Sequence, residues 1–393
     1  MKRVIILGAG FAGLHAAFTL RRALPEVALR VVARSPLFLY RPDSIYVPFG
    51  LDPDMLGVLL NPTLTAQHID QTVGEVTDLD ATQRVVTAGG QHFSYDYLLI
   101  ASGMENAPQQ IPGLHHRAHD LTSMASLLAL RRAFLQLVED AGQGRHRRVV
   151  LLSPPGRSFA GPLYELALLL DTFLRRQDLR DPVEIVVATW EDQVLPGLAA
   201  NDALSEVLAG RKIKVLNGWR ATEVEPGQIR FEEGRTLSFD VLATLPATRG
   251  ALRVRDLSYD ENGFIRTDLY NRRARVEGQT NIFVAGDAAD HPVKQGYVAF
   301  AQADVAAHHI ISDIKGEAPT HYYEPRTRYI IDGFDTAIYI DSTLDDGPAF
   351  VGRSRLWHLS KQILGKYLPW KVRQGEPFGN LFDRPGVSAT YPR

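Results

Sequence analysis

A glycine-rich turn near the start of the chain sets the strongest constraint on its fold. The segment Gly8–Gly13 reads GAGFAG, follows a β-branched apolar run and precedes an apolar segment with helical spacing. In such a strand–turn–helix unit, Gly8 permits the tight turn and Gly10 lets the backbone approach a diphosphate, while Gly13 lets the helix pack closely on the strand. The sequence therefore predicts a dinucleotide site at this turn.

Residues around the turn extend the predicted site. The N–H groups at the start of the helix, those of Phe11 and Ala12 among them, attract an anion. The second strand of such a unit usually ends in an acid that binds the ribose hydroxyls, but here Ala33 occupies that position and Arg34 follows it. We expect either Ser35 and backbone groups to bind the ribose, or Arg34 to contact the adenine or a phosphate.

Strand and helix patterns alternate along the chain in the order typical of an α/β fold. One βαβ unit lies at the N-terminus, a second opens at Arg148–Leu152, and a further buried strand, Asn281–Ala285, comes late in the chain. This order predicts two nested Rossmann-like dinucleotide-binding domains and a C-terminal segment of strands and an amphipathic helix. The expected boundaries are 1–110 with 265–320 for the first domain, 111–264 for the second, and 321–393 for the C-terminal region.

Composition excludes several kinds of chemistry. The 393 residues are 45% hydrophobic and carry a formal net charge of −2, so the chain can bury a large core and has no overall charge that would attract nucleic acid. It contains no cysteine, which excludes disulfides, thiolate nucleophiles and cysteine-ligated metals; no metal site is predicted. Because no apolar run of about 18 residues occurs, we expect a cytoplasmic protein with at most peripheral membrane contact.

The run Thr280–Ala289 (TNIFVAGDAA) is the most specific segment in the chain. A buried strand ends at Gly286 and Asp287 and brings a carboxylate to the edge at which open α/β sheets bind ligands. The run resembles the second flavin motif of the two-dinucleotide-binding-domain flavoproteins, whose aspartate contacts the ribityl chain of FAD. The alternative interpretation of Asp287 is a helix N-cap.

Another segment, Tyr95–Gly103 (YDYLLIASG), resembles the connecting strand of the same flavoproteins. The resemblance implies that the end of this strand lies against FAD. The expected FAD-binding residues of this segment are Ala101, Ser102 and Gly103. Pro42 and Val76, earlier in the chain, are also expected to contact FAD.

Within these flavoproteins, the chain resembles the sulfide:quinone oxidoreductases, with type II NADH dehydrogenases as more distant relatives. The likeness spans nearly the whole chain and is carried by four segments: Phe38–Gly50, Arg157–Glu165, Lys294–Tyr297 and Gly352–Tyr367. It implies a glutathione-reductase-like fold, FAD as cofactor, and a quinone or other small electron acceptor as partner.

Sulfide oxidation in that family uses cysteines beside the flavin, and their positions fall here, by local match, on Leu121, Phe159 and near Ile330. Since the thiolate is the nucleophile, the known sulfide route is disfavoured. The leading prediction is an FAD-dependent oxidoreductase that passes electrons from an unidentified donor to a quinone-like acceptor. The alternatives are a cysteine-free sulfide route, NAD(P)H as donor, and a flavin-containing or flavin-free protein at the membrane surface without turnover.

The second glycine-bearing turn departs from the dinucleotide fingerprint. Pro154 and Pro155 stand where a GxG would, and each removes an N–H that could hold phosphate. No acid ends the next strand at the ribose position, and Glu191 lies two residues late. These changes argue against NAD(P)H binding in the usual mode.

Lys294 and Tyr297 are the predicted catalytic residues. With Gly296 they follow Asp287 at the start of a helix, where the resemblance implies that the helix N-terminus and an ammonium stabilise reduced flavin at its N1–C2=O edge. The alternative for Lys294 is a solvated surface lysine. Asp290 and His291 are a further candidate, as a proton relay, and the alternative for His291 is an ordinary loop residue.

The tail 353–373 carries six lysines and arginines and no acid, with apolar residues near helical spacing. A basic amphipathic segment with aromatics predicts contact with an anionic membrane surface, here the inner face of the cell membrane, or with a quinone. The alternatives are a helix docked on the body of the protein and a homodimer contact.

Overall fold

Two five-stranded parallel sheets form the centre of the structure, a computed structural model that describes residues 1–107, 111–156, 159–196, 200–268, 274–343 and 350–379. Its strands are β1 (Arg3–Leu7), β2 (Ala28–Ala33), β3 (Leu37–Leu39), β4 (Gly57–Leu59), β5 (Asp70–Val73), β6 (Val76–Asp80), β7 (Val85–Ala88), β8 (Gln91–Ser94), β9 (Tyr97–Ile100), β10 (Met104–Asn106), β11 (His119–Asp120), β12 (Arg147–Ser153), β13 (Val183–Thr189), β14 (Lys214–Leu216), β15 (Ala221–Glu225), β16 (Gln228–Phe231), β17 (Thr236–Ser238), β18 (Val241–Thr244), β19 (Thr248–Gly250), β20 (Ile282–Val284), β21 (Arg326–Asp332), β22 (Ala337–Thr343) and β23 (Phe350–Ser354).

The α-helices of the described residues connect and cover these strands. They are α1 (Phe11–Ala23), α2 (Asn61–Ala66), α3 (Leu114–Arg117), α4 (Met124–Gly142), α5 (Gly161–Arg175), α6 (Asn201–Gly210), α7 (Gly296–Lys315) and α8 (Arg355–Gln374). Short 3₁₀ helices occupy Arg41–Phe49, Pro53–Leu56, Glu232–Gly234 and Gly286–Ala288.

The first sheet has the strand order β20-β9-β1-β2-β5, and all its strands are parallel. In β1, Val4 and Ile6 face α1 and α7, whereas Ile5 and Leu7 face the antiparallel sheet β6-β7-β8. Both faces are covered, which explains why β1 is a continuous apolar run and not an alternating one.

The second sheet, ordered β11-β18-β12-β13-β14, repeats this arrangement. Val149 and Leu151 of β12 pack with α4 and α5, and Val150 and Leu152 pack with the antiparallel sheet β15-β16-β17. The pair β10-β19 crosses between the two halves, because Met104 pairs with Gly250.

A third unit joins the two halves through the antiparallel sheet β21-β22-β23 and α8. Helix α8 packs on β21 and β22, and Gly365 brings its backbone against the 3₁₀ helix Arg41–Phe49: a Cβ at Gly365 would lie 2.1 Å from the Asp43 carboxylate. None of the described helices is long and apolar enough to cross a bilayer.

The predicted fold class is confirmed: the chain is α/β, with two Rossmann-type parallel sheets and a C-terminal unit of strands and a helix. The predicted domain boundaries stay a prediction. Arg157 and Ser158, which open one of the four resembling segments, lie outside the described residues, as do 380–393 of the predicted C-terminal region.

Candidate flavin site

The glycine turn between β1 and α1 is packed against the end of β9. The N–H of Gly8 donates to the carbonyl of Val32 at 2.7 Å, and its φ of +119° is a left-handed conformation. A Cβ at Gly8 would lie 2.0 Å from the carbonyl oxygen of Ala101, and one at Gly13 would lie 1.9 Å from that of Gly8. Only glycine fits at these two positions.

Gly10 is different, because it is exposed and a Cβ there would meet nothing within 4 Å. It is the N-cap of α1, no side chain caps the helix, and the first turn holds no acid. Ala12 is buried against Gly286, while the Phe11 ring turns away to pack edge-on to Phe38 at 5.3 Å. The open space in front of the uncapped helix N-terminus suits an anion such as a diphosphate.

The end of β9 lies beside this space. The N–H of Ala101 donates to the carbonyl of Leu7 at 2.7 Å. Ser102 follows with a buried hydroxyl that has no hydrogen-bond partner, and Gly103 has a φ of +74° with open space around its Cβ position. A buried hydroxyl without a partner in the protein is a donor available to a ligand.

Asp287 brings a carboxylate to the same edge of the first sheet. It lies in the 3₁₀ turn after β20, where Gly286, with φ +73°, donates its N–H to the Gln302 side chain at 2.9 Å. No hydrogen bond reaches the Asp287 carboxylate from any of the described residues. Burial raises its pKa, and the nearby charges of Lys294 and Arg41 oppose that rise.

The N-cap interpretation of Asp287 is wrong, because the residue preceding α7 is Gln295. The side-chain Oε1 of Gln295 accepts a hydrogen bond from the Thr327 hydroxyl. The buried Nε2 atoms of Gln295 and Gln302 have no hydrogen-bond partner. Sequence reasoning missed both glutamines; an amide directly before the helix after the Asp287 motif was the available signal.

Lys294 is neither a surface lysine nor free in the crevice. Its ammonium donates to the backbone carbonyls of Asp287 (3.1 Å) and Ala289 and lies 3.6 Å from the centroid of the Phe264 ring. These contacts hold Lys294 against the Asp287 turn. Its assignments as a catalytic residue and at a flavin edge stay predictions.

Gly296 and Tyr297 open α7 as expected. A Cβ at Gly296 would lie 3.4 Å from the Phe11 ring, so the starts of α1 and α7 are in contact. The Tyr297 ring packs edge-on to Phe300, and the Arg328 guanidinium lies 5.3 Å from its centroid. The catalytic assignment of Tyr297 stays a prediction.

His291 is integrated into its loop. The ring is buried; its Nε2 is 2.9 Å from the Tyr323 hydroxyl and its Nδ1 contacts the backbone of Val293. Both ring nitrogens thus have protein partners, which agrees with the loop interpretation. The proton-relay interpretation stays a prediction.

The remaining predicted contacts lie around the rim. Ala33 ends β2 and is half-buried, Arg34 is exposed, and the Ser35 hydroxyl accepts a backbone N–H within its own turn. Val76 begins β6 beside this end of the sheet, and Pro42 is exposed at the start of the 3₁₀ helix. The structure brings the glycine turn, the β9 end and Asp287 together; the rim contacts stay predictions.

Apolar side chains fill the three positions that match the cysteines of the resembling family. Leu121 is buried in the core around α4 and α5, and Phe159 packs edge-on to Tyr329 at 5.0 Å. Ile330 is buried under α8. No thiol chemistry is available at any of them.

A group of buried and half-buried charged side chains lies between α8, β21, the start of α5 and the 3₁₀ helix Arg41–Phe49. We call it the α8 charge cluster; it is formed by Asp43, Glu165, Asp332, His358 and Lys361. The Lys361 ammonium contacts the Glu165 carboxylate and also the carbonyl of residue 330. The His358 Nδ1 is 2.8 Å from Asp332, which is fully buried. The cluster was not predicted as a unit.

Two carboxyl groups of the α8 charge cluster bind protons unusually well. Burial raises the pKa of Glu165 to about 7, with the Lys361 charge opposing, and that of Asp43 to about 6. The Tyr329 hydroxyl donates to Glu165 at 3.3 Å, and one oxygen of Asp43 is buried without a partner. These groups change protonation near neutral pH.

The β12–α5 connection departs from the first glycine turn. Residues 154–160 separate β12 from α5, whereas only residues 8–10 separate β1 from α1. Four buried polar atoms without a partner cluster at this edge of the sheet, on Ser153, Tyr164, Trp190 and Glu191. Burial raises the Glu191 pKa to about 7, so this carboxyl is a poor anion for ribose hydroxyls.

Comparison with known proteins agrees with this geometry. A sequence profile described as pyridine nucleotide-disulphide oxidoreductase matches residues 2–303, three quarters of the chain. The chain belongs to this family. The resemblance stated from the sequence is thereby confirmed, and the family is one of oxidoreductases.

Individual relatives of the family cover most of the chain. A sulfide-quinone reductase of Aquifex aeolicus is 26% identical over 406 residues, 95% of this chain and 92% of the relative. A type II NADH:quinone oxidoreductase of Mycobacterium tuberculosis is 27% identical over 350 residues, 80% and 72% of the two chains. The crystal structure of the Aquifex aeolicus sulfide:quinone oxidoreductase superposes with a TM-score of 0.87 at 22% identity, covering 96% of this chain and 92% of that one.

Proposed function

We propose that this protein is an FAD-dependent oxidoreductase that passes electrons to a quinone-like acceptor. One observation carries the proposal: the open, uncapped start of α1 at Gly10 and the unpartnered Asp287 carboxylate meet at the carboxyl ends of β1, β9 and β20. Anion and hydroxyl recognition at one edge of a parallel sheet matches a dinucleotide. The sulfide-quinone reductase and NADH:quinone oxidoreductase names of the relatives support the acceptor.

The residues present fit FAD. The Gly10 backbone and the α1 N-terminus would hold the diphosphate, the Asp287 carboxylate would accept hydrogen bonds from the sugar alcohol, and Ser102 Oγ is a further donor. The flavin would supply the two-electron chemistry that no side chain here provides. Lys294 fixes the turn that aims Asp287.

Quinone reduction takes up two protons, and the α8 charge cluster is our candidate source. A carboxyl with a pKa of about 7, such as Glu165, holds and releases a proton equally well at neutral pH. Strand β21 links the cluster to the start of α7: Thr327 donates to Gln295, and Tyr329, two residues on, donates to Glu165. We propose that Glu165 holds a proton destined for the acceptor.

The donor is proposed to be neither sulfide by a thiol route nor NAD(P)H bound in the usual mode. Leu121, Phe159 and Ile330 provide no nucleophile. The long β12–α5 connection carries Pro154 and Pro155, which lack the N–H groups that hold phosphate. The chemical class of the electron donor is the question that the titration described below addresses.

Helix α8 is proposed to lie on an anionic membrane surface. It contains no acid, and its outer face exposes apolar side chains: Leu356 (69%), Leu359 (53%), Ile363 (54%) and Trp370 (46%). Arg355, Lys366 and Arg373 are exposed around that face. An apolar face flanked by cations suits the interface of a bilayer, where a lipid-soluble quinone resides. A homodimer through the same face is the alternative occupant.

The test begins with the visible spectrum of the purified protein. Stoichiometric FAD and reoxidation of the photoreduced flavin by a short-chain quinone are the expected results. Anaerobic titration with NADH, NADPH and sulfide tests the donor, and fast reduction by any of the three would contradict the donor part of the proposal. A protein that contains FAD but whose reduced flavin ignores every quinone tested would refute the acceptor. A protein purified without flavin that also fails to bind added FAD would refute the proposal as a whole.

A further inference from the structure

A group of histidine and aspartate side chains lies on α7, beyond the part of the helix that meets the flavin site. Asp304 and His308 are four residues apart on α7 and therefore share one face, and His321 approaches them from the segment that follows the helix. One ligand atom from each of the three lies within 4.8 Å of the others, and all three residues are half-buried.

The two imidazoles lie face to face. The ring centroids of His308 and His321 are 3.6 Å apart, with an angle of 13° between the planes. His308 Nδ1 is 2.8 Å from the carbonyl of Asp304, and His321 Nδ1 is 3.0 Å from the Thr320 hydroxyl. In each ring, one nitrogen thus contacts an oxygen and the other makes no hydrogen bond among the described residues. A metal-binding histidine has this arrangement, with one nitrogen oriented by an oxygen and the other available.

The carboxylate of the group is oriented from the other side. His15 on α1 is buried, and its Nε2 contacts Asp304 Oδ1 at 3.1 Å. The second oxygen of Asp304 faces His308, 3.5 Å from its Nδ1. The Asp304 side chain is 39% exposed and that of His308 is 29% exposed, so an ion from solvent reaches them without any rearrangement of the core.

We propose that Asp304, His308 and His321 bind a divalent transition-metal ion of the Zn²⁺ type, with two imidazole nitrogens and one carboxylate oxygen as ligands. Metal–ligand bonds of about 2.0–2.2 Å require the ligand atoms to approach by about 1 Å, a rotation of surface side chains. Neutral imidazole nitrogens together with a carboxylate select Zn²⁺, Co²⁺, Ni²⁺ or Cu²⁺ over Mg²⁺ and Ca²⁺, which prefer all-oxygen sites.

The proposed site ties two parts of the chain together. Asp304 and His308 belong to α7, while His321 precedes β21 and the sheet that carries the α8 charge cluster. Because only the folded chain brings the three ligands together, a bound ion stabilises the fold by mass action. Binding is therefore measurable both directly and as a rise in melting temperature.

The test uses the full chain, free of any polyhistidine tag and treated with a chelator before dialysis. Zn²⁺ is titrated in competition with a chromophoric zinc indicator, and we expect one equivalent per chain with micromolar or tighter affinity and a higher melting temperature. The H308A/H321A and D304N variants should each bind at least about tenfold more weakly, about 1.4 kcal/mol or more. The matched control is H115A/H116A, which removes another adjacent histidine pair whose rings are 5.2 Å apart.

Copper binding to the unmodified protein tests the site even if a variant fails to fold. One equivalent of Cu²⁺ should give an electron paramagnetic resonance spectrum with mixed nitrogen and oxygen ligands, and Mg²⁺ should not displace it. Absence of saturable Zn²⁺ binding, a copper spectrum with oxygen ligands only, or wild-type affinity in either of the two site variants would each overturn the site.

Discussion

The ammonium of Lys361 contacts the carboxylate of Glu165 inside the protein, where the two side chains are 8% and 3% exposed. The residues are 196 positions apart in the chain, on α8 and α5. A buried pair of this kind contributes little net stability, because desolvation offsets the attraction of the charges. We therefore expect the Lys361–Glu165 contact to affect the proton affinity of Glu165 more than the stability of the fold.

Replacing Glu165 tests the proton assignment. Its pKa of about 7 means that Glu165 loses its proton as the pH rises through neutrality. E165Q cannot release a proton, so quinone-dependent reoxidation should slow by about 10²-fold and lose the pH dependence centred near 7, as for removal of a general acid. Stopped-flow reoxidation between pH 5 and 9 measures both effects. E206Q, on the exposed face of α6, is the control; an unchanged pH profile in E165Q would remove Glu165 from proton delivery.

Replacing Asp43 tests the electrostatics of the α8 charge cluster through the pH dependence of the free energy of unfolding. Burial raises its pKa to about 6, so between about pH 4 and 6 the folded protein holds a proton that the unfolded chain releases. The folded state consequently loses stability as the pH rises through that interval. D43N holds no titrating proton, and from pH 4 to pH 7 it should gain about 1–3 kcal/mol relative to wild type.

Urea unfolding at the two pH values measures that gain. The exposed Asp181, changed to asparagine, serves as the control and should show no pH-dependent difference from wild type. A constant difference between D43N and wild type at both pH values would show that burial does not raise the Asp43 pKa.

Replacing Gly10 by alanine is expected to weaken FAD binding without affecting folding. A Cβ at Gly10 meets nothing within 4 Å, so G10A should keep the wild-type melting temperature of the cofactor-free protein. The same methyl group would occupy the space proposed for the diphosphate, so FAD affinity should fall by about tenfold or more. Flavin content and fluorescence titration with FAD measure this loss. G142A, at the end of α4 and equally open, is the matched control; equal FAD affinity in the two variants would contradict the site.

The outer face of α8 is tested with lipid vesicles. The double variant L359Q/I363Q removes two apolar side chains from that face, and binding to vesicles with an anionic lipid should weaken by about tenfold or more, because each buried CH₂ contributes about 0.8 kcal/mol. Flotation measures binding. L135Q, on the exposed face of α4, is the control. If, without vesicles, the wild-type protein is a dimer and the L359Q/I363Q variant is a monomer, the outer face of α8 binds a second copy of the chain and not a membrane.

Local patterns accounted for the parts of the fold that local interactions determine. The strands Ala28–Ala33 and Val183–Thr189 are mostly buried apolar runs with clear ends, so the local pattern is enough to delimit them. Helix α1 starts at Phe11, directly after Gly10, so the end of the glycine-rich segment forms part of its first turn. The third strand of the C-terminal sheet, Phe350–Ser354, gives little apolar signal and was not predicted.

The parts of the candidate site that belong to sequence motifs could be predicted, and the parts that depend on packing could not. The glycine turn and Asp287 each carry a local signal, and the sheet brings them together as expected. The orientation of Lys294 follows from carbonyls that need a donor, which no spacing reveals. The contact of Lys361 with Glu165 depends on how α8 packs against α5, and distant packing leaves no local trace in the sequence.

Strand β20 pairs with β9, with Ile282 beside Leu98. In the sequence, every strand of the second parallel sheet lies between these two strands. Asp287 follows β20, so a ribosome must release most of the polypeptide before the carboxylate joins the glycine turn made at the very beginning. The proposed FAD site is thus completed late in the synthesis of the chain, and a product of premature termination before β20 would lack Asp287 even with its N-terminal glycines intact.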